Sequence, residues 1–181
     1  GYWMVVSGFV DRTDVSHYRL AVHLSIALVI FALLFWTALD LKAPKKKEVR
    51  PFIRRLGWAC LGLLSLTIIW GAFVAGLNAG QLYNTFPHMN KGFIPQEQFN
   101  ISSIVENHGW VQFAHRWIAI TAGLCILIFA VRVRASMLAA MVFIQVGLGI
   151  STLLTQVYLP LATAHQAGSI ILLALLIREN H

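Results

Sequence analysis

The sequence predicts an all-α polytopic membrane helix bundle, with five complete transmembrane helices and one N-terminal stub. Three observations predict it. The 181 residues are 58% apolar and only 12% charged, with a mean hydropathy of +0.71, whereas soluble domains are about half apolar and about a quarter charged. Five apolar runs, residues 20–39, 56–80, 110–131, 135–158 and 161–177, contain between them one Asp, Glu, Lys or Arg, which is Arg116. Each is close to the ~20 residues that a helix needs to cross ~30 Å of hydrocarbon. The basic residues are also one-sided. Lys42, Lys45, Lys46, Lys47, Arg50, Arg54, Arg55, Arg132, Arg134 and Arg178, ten of the fourteen Lys and Arg, fall on one side if the first complete helix runs inward. That side is then the cytoplasm or matrix.

The elements follow in order. Residues 1–10 are apolar but too short to span. Gly1-Tyr2-Trp3-Met4-Val5-Val6-Ser7-Gly8 has no initiator Met and no charged n-region, so it is not a signal peptide. It reads as the outer end of a span that begins upstream, and the chain as the C-terminal part of a longer membrane protein. Residues 11–19 form a short outer loop, and residues 42–55 a basic inner loop with Pro44 and Pro51 as breakers. Residues 81–109 make a long outer segment, a length that often carries function. Tyr83, Phe86, Phe93 and Trp110 lie where aromatic residues gather at the membrane interface. Residues 104–108 are expected to begin a helix before the membrane, and Leu159-Pro160 is the last outer turn. A weak internal repeat relates the stub and the helix around His23 to the last two helices around His165.

Composition excludes several functions. The net charge of +7 and pI near 9.9 need no nucleic-acid partner, because a Lys/Arg cluster beside a span already has a topological cause. Cys60 and Cys125 both lie in apolar runs and read as small buried residues rather than a disulfide. The absence of CxxC and CxxCH excludes covalent c-type haem attachment.

His115 and His165 are the candidate metal ligands. They are the sixth and fifth residues of their runs. At a rise of 1.5 Å per residue both lie about 6–8 Å below the outer edge, on helices that run in the same direction. An ionisable group inside a span is a functional candidate by default, and neutral imidazole is the commonest metal ligand. Two imidazoles at one depth can hold a planar macrocycle from both faces. Histidines without acid or thiolate partners suit haem iron better than zinc or a di-iron site. His23, the fourth residue of its run, is a third histidine at similar depth. Small residues at Gly71, Ala72, Ala75, Gly76, Ala79, Gly80, Gly147, Gly149, Ala164, Ala167 and Gly168 leave room for a macrocycle edge, or simply pack helices closely. Arg116 is placed either to pair with a haem propionate or to snorkel to headgroups. Gln112 and His108 lie on roughly the same helix face as His115 and are either supporting partners or ordinary interface residues. His17, His88 and His181 receive no role.

At these residues the chain resembles the haem A synthase family. The resemblance runs through Tyr2-Trp3-Met4-Val5-Val6-Ser7-Gly8, Asp14-Val15-Ser16-His17-Tyr18-Arg19-Leu20-Ala21-Val22-His23-Leu24, Trp70-Gly71-Ala72-Phe73-Val74-Ala75-Gly76-Leu77-Asn78-Ala79-Gly80, Tyr83-Asn84-Thr85-Phe86-Pro87, Glu106-Asn107-His108, Val111-Gln112-Phe113-Ala114-His115-Arg116 and Ala164-His165-Gln166-Ala167-Gly168. It implies an eight-helix fold of two four-helix halves. Residues 1–55 would be the end of the N-terminal half with the basic inner loop, and residues 56–181 the C-terminal, haem-binding half. It implies oxidation of the C8 methyl of haem O to the formyl group of haem A, in a bacterial or mitochondrial inner membrane. His115 and His165 match the pair of a b-type haem site, and His23 matches a histidine of the catalytic half. The family's catalytic Glu-x-x-His would lie upstream, and at the matching C-terminal position this chain has Gln112, so the chain alone is not expected to be active. The implied partners are membrane lipid and haem O, with haem O synthase, an electron donor and a second copy of the chain as further candidates. A b-type cytochrome subunit that only transfers electrons is the alternative function. A transporter is a weaker one, because no charged residue lies deep in a complete span.

Overall fold

The structure is a computed structural model that describes Tyr2, residues 15–42 and residues 50–181. The stub motif after Tyr2, and with it half of the internal repeat, lies outside the described residues, as do Lys45, Lys46 and Lys47 of the basic loop. Five long helices carry the fold: α1 (His17–Leu41), α2 (Pro51–Gly76), α4 (His108–Val133), α5 (Ser136–Leu154) and α6 (Leu159–Asn180), with a one-turn α3 (Ser103–Glu106) before α4. All five are long and apolar enough to cross a membrane, as the charge-free runs require. Among the described residues there is no strand, only an isolated bridge between Met89 and Gly92.

Helix ends depart from the apolar runs for local reasons. Pro51 opens α2, where the missing N–H of proline costs nothing. The apolar run continues to Gly80, but α2 stops at Gly76. Asn78 takes a left-handed φ of 52°, and Ala79–Gln81 is a single 3-10 turn. The Asn107 side chain caps α4 by accepting from the N–H groups of Gly109 and Trp110 at 3.0 and 3.3 Å. At its other end Arg134 is left-handed, and the Ala135 N–H reaches back to the Ala130 carbonyl at 2.8 Å. α5 stops at Leu154, four residues before its apolar run does, because Gln156 and Val157 both turn left-handed.

The apolar core occupies the end of the bundle that carries Arg54, Arg55, Arg132 and Arg134, here the basic end. Cys60, Leu64 and Ile68 of α2 meet Ile126 and Phe129 of α4, Leu138 and Val142 of α5, and Leu172, Leu173 and Leu176 of α6, with Leu28 of α1 closing one side. At the same end the His181 ring sits 2.8 Å from the Asp40 carboxylate and edge-on to Trp36. The Asn180 side chain packs on Gly57. These contacts tie α6 to α1 and α2. Within this chain α1 therefore packs on the other helices rather than standing apart. Its outer face exposes Val22, Ile26, Val29, Ile30, Leu33 and Leu34, as expected of a helix whose solvent is lipid. The opposite, loop end of the bundle holds His115 and His165. Cys60 and Cys125 are free.

Candidate functional site

Each histidine of the pair rests against a glycine of a neighbouring helix. A Cβ at Gly71 of α2 would lie 3.4 Å from His115 Cε1, and a Cβ at Gly149 of α5 would lie 2.9 Å from His165 Cε1. His115 packs against α2 and His165 against α5, each on a different neighbouring helix. Among the described residues no three His, Cys, Asp or Glu side chains cluster in a way that would hold a metal ion.

The polar atoms around the pair test whether a haem fits. His115 Nδ1 is buried without a hydrogen bond of good geometry, and the Thr67 backbone is the ring's nearest hydrogen-bonding neighbour. The His165 ring is held by a residue that sequence reasoning missed. Gln145 Nε2 lies 3.1 Å from His165 Nδ1 and donates to the His165 carbonyl at 2.9 Å. A glutamine in an apolar run carries no spacing signal, and only the α5–α6 packing reveals it. Half-buried imidazoles backed by glycine, with no carboxylate or thiolate against them, would suit haem iron better than a free metal ion.

Gln112 and Arg116 serve the outer loop. Gln112 is buried and donates to the Tyr83 carbonyl at 3.1 Å, while its Oε1 has no partner. Arg116 donates to the carbonyls of Tyr83 at 2.7 Å, Thr85 at 3.0 Å and His88 at 3.1 Å. The guanidinium fork thus fixes the backbone of residues 83–88 to α4. Asn84 fixes the same stretch to α5 by donating to the carbonyls of Gly80 and Leu153, both at 2.9 Å.

Tyr83 and Glu97 complete the loop. The Tyr83 hydroxyl donates to Glu97 Oε2 at 2.9 Å and accepts from the Gln96 N–H at 3.2 Å. Burial pushes the phenol above its ordinary value, with Glu97 adding to the shift and the Gln96 N–H opposing it. The group therefore stays a donor. The Glu97 carboxylate packs on Gly109, at the positive end of the α4 dipole, and its carbonyl accepts from the Trp110 indole at 3.0 Å. The Tyr83–Pro87 stretch and the Glu106-Asn107-His108 motif thus have structural partners of their own. His108 is exposed and, with Glu106, acts electrostatically on His17.

His23 lies elsewhere. Ala21 and Leu28 are the buried positions of α1, whereas His23 is exposed beside Val22 and Ile26. The helix phase turns it away from the core that α1 helps to close.

Comparison with known proteins shows the family. The family model described as cytochrome oxidase assembly protein, COX15-CtaA, matches residues 1–177. A protein named Heme A synthase from Rhodospirillum centenum is 46% identical over the whole chain, which covers 53% of that protein. Heme A synthase COX15 of Bos taurus is 42% identical over 96% of the chain and 48% of its own length. A Heme A synthase of Parvibaculum lavamentivorans is 41% identical over the whole chain and 56% of its own length. The chain thus spans about half the length of the curated relatives it matches. No solved structure matches it. With the family model covering nearly every residue, the chain belongs to the COX15-CtaA family of cytochrome oxidase assembly proteins.

Proposed function

We propose that the chain forms the haem-carrying part of a haem A synthase, a multi-pass protein of the bacterial or mitochondrial inner membrane that oxidises the C8 methyl of haem O to the formyl group of haem A. The carrying observation is whole-chain likeness to proteins named Heme A synthase; a glycine of a neighbouring helix against each of His115 and His165 supports it. In this reading the pair binds a b-type haem, which when bound supplies one-electron redox chemistry. His115 and His165 orient the macrocycle, Gly71 and Gly149 give it room, and the loop held by Arg116 shields its outer edge from water. Arg116 would meet a propionate by giving up part of its hold on the Tyr83, Thr85 and His88 carbonyls.

His23 belongs to the reacting half in this reading. Its exposure on α1 suits a partner other than His115 and His165, and a protein with only one electron-transfer haem needs no such histidine. Haem O is the substrate, membrane lipid surrounds the exposed faces, and an electron donor, haem O synthase and a second copy are the remaining partners.

The experiment uses the full-length protein with His115, His165 or His23 changed to Ala. Reduced-minus-oxidised spectra and haem A production are measured together. Loss of the b-type spectrum is expected for the first two variants. Loss of haem A with that spectrum retained is expected for His23→Ala, because deleting a ligand acts mainly on its own iron. A full haem complement in His115→Ala or His165→Ala sinks the ligand assignment. Normal haem A production by His23→Ala removes His23 from the reacting half.

A further inference from the structure

The outer segment does not lie wholly above the bundle. A cavity of about 80 Å³ separates part of it from α4. Phe86, Pro87 and Phe93 make one side of this cavity, and Phe113, Trp117 and Ile120 of α4 make the other. Ile120 is the eleventh residue of its apolar run. At 1.5 Å per residue it lies about 15 Å inside that run. The apolar side chains of the loop therefore reach down beside a stretch of α4 that crosses hydrocarbon.

This face of α4 is turned outward. Trp117, Ile120, Leu124, Ile128 and Val131 are all exposed and follow one another at helical spacing. In a membrane such a stripe touches lipid. Phe86 and Phe93, exposed as well, continue it at its loop end.

Non-helical backbone enters hydrocarbon only where its polar groups find partners within the protein. This stretch has them. Gln112 and Arg116 donate to the Tyr83 carbonyl, and Arg116 to those of Thr85 and His88. The Thr85 hydroxyl donates to the His88 carbonyl and accepts from the Asn90 N–H, both at 2.8 Å. The Met89 N–H closes the turn on the Gly92 carbonyl at 2.6 Å, and Pro87 has no N–H to satisfy. Arg116 is also the one Asp, Glu, Lys or Arg in the five apolar runs. A costly cation inside a span has a cause if it seals the carbonyls of a loop that enters the membrane beside it.

We propose that Phe86, Pro87 and Phe93 are inserted among the acyl chains of the loop-side leaflet, as a wedge that Arg116 anchors to α4. Asn90 and Lys91 form the exposed turn between them and stay at headgroup level, where the Lys91 ammonium keeps its water. The partner of this surface is lipid, because the wedge continues a lipid-facing stripe and carries no charge of its own. It needs no group bound at the histidines.

Nitroxide labels on single cysteines at Phe86, Phe93, Trp117 and Asn90 test this in the full-length protein, with its other cysteines changed to Ala and the protein reconstituted in phospholipid vesicles. Collision with oxygen, which concentrates in hydrocarbon, is compared with collision with a water-soluble nickel chelate. Labels at Phe86 and Phe93 should favour oxygen, as the Trp117 label does, while the Asn90 label favours the nickel chelate. Preference for the nickel chelate at either Phe86 or Phe93 overturns the proposal. Shielding from both reagents at these positions overturns it too, because protein and not lipid would then cover the surface. Arg116→Ala should move both labels toward the nickel chelate, since the loop carbonyls lose their donor. Labels that stay oxygen-exposed in that variant overturn Arg116 as the anchor. If Arg116→Ala does not fold, the labels in the chain with Arg116 in place decide the proposal.

Discussion

Gly149 and Gly71 look interchangeable in sequence, yet they face their histidines at different distances. A methyl at Gly149 would stand 2.9 Å from His165 Cε1, closer than carbon atoms pack, while one at Gly71 would stand 3.4 Å from His115 Cε1. Neither neighbour is a floppy chain end, because His165 is also gripped by Gln145. Gly149→Ala should therefore displace the ring. Overpacking of this kind costs about 1–3 kcal/mol, which corresponds to a roughly 5- to 150-fold loss of haem affinity. Gly71→Ala should keep most of its haem. Haem-to-protein ratios of the two purified variants check this, and equal ratios would show that the glycines do not confine the rings. Arg116 and Gln112 carry a different lesson at this scale. Both sit one turn or less from His115 and were expected near the bound group, but their donors go to loop carbonyls. Which way a long side chain reaches depends on where unpaired carbonyls lie, and a loop with three of them facing α4 is not legible from spacing.

Helix ends show how backbone conformation and topology compete. Arg134 closes α4 with a φ of 59°, a region that costs an L-residue about 1–2 kcal/mol and that glycine normally fills. An arginine there makes sense as part of the basic end that orients the chain. Arg134→Gly should raise thermal stability in detergent by about 0.5–1 kcal/mol, since glycine's larger unfolded-state entropy offsets part of the relieved strain. A lower melting midpoint would mean that the arginine side chain contributes more than its backbone costs. The same competition explains why the apolar runs overshoot α2 and α5. Hydrophobicity does not report where Asn78, Gln156 and Val157 turn left-handed.

At the scale of the whole molecule, the chain divides into a packed basic end and a loop end where His115 and His165 sit. Lipid accepts apolar side chains on every outer face, so a bundle in a membrane need not fill itself with hydrophobic core to be stable. The core can retreat to one end and leave the other for a ligand. Ten of fourteen cationic residues on one side predict that this packed end faces the cytoplasm or matrix. Single cysteines introduced at Lys46 and at Asn90, labelled in intact cells with an impermeant thiol reagent, check the orientation. Labelling at Asn90 but not at Lys46 is expected, and the reverse pattern inverts the topology.

The sequence by itself determined the class of the fold, the number of long apolar helices and the two histidines worth testing. Uninterrupted apolar length and ionisable groups inside it are one-dimensional signals with large energetic weight in lipid. It also carried the family, since the motifs recur in order along the chain. Tertiary structure alone decided which glycine backs which histidine, that Gln145 grips His165 across the α5–α6 contact, that Arg116 is a clamp on the outer loop, and that His23 is turned away from the core. Each of these depends on the phase and register of one helix against another. Phase and register are set by the summed packing of many side chains, so no single residue type or spacing announces them.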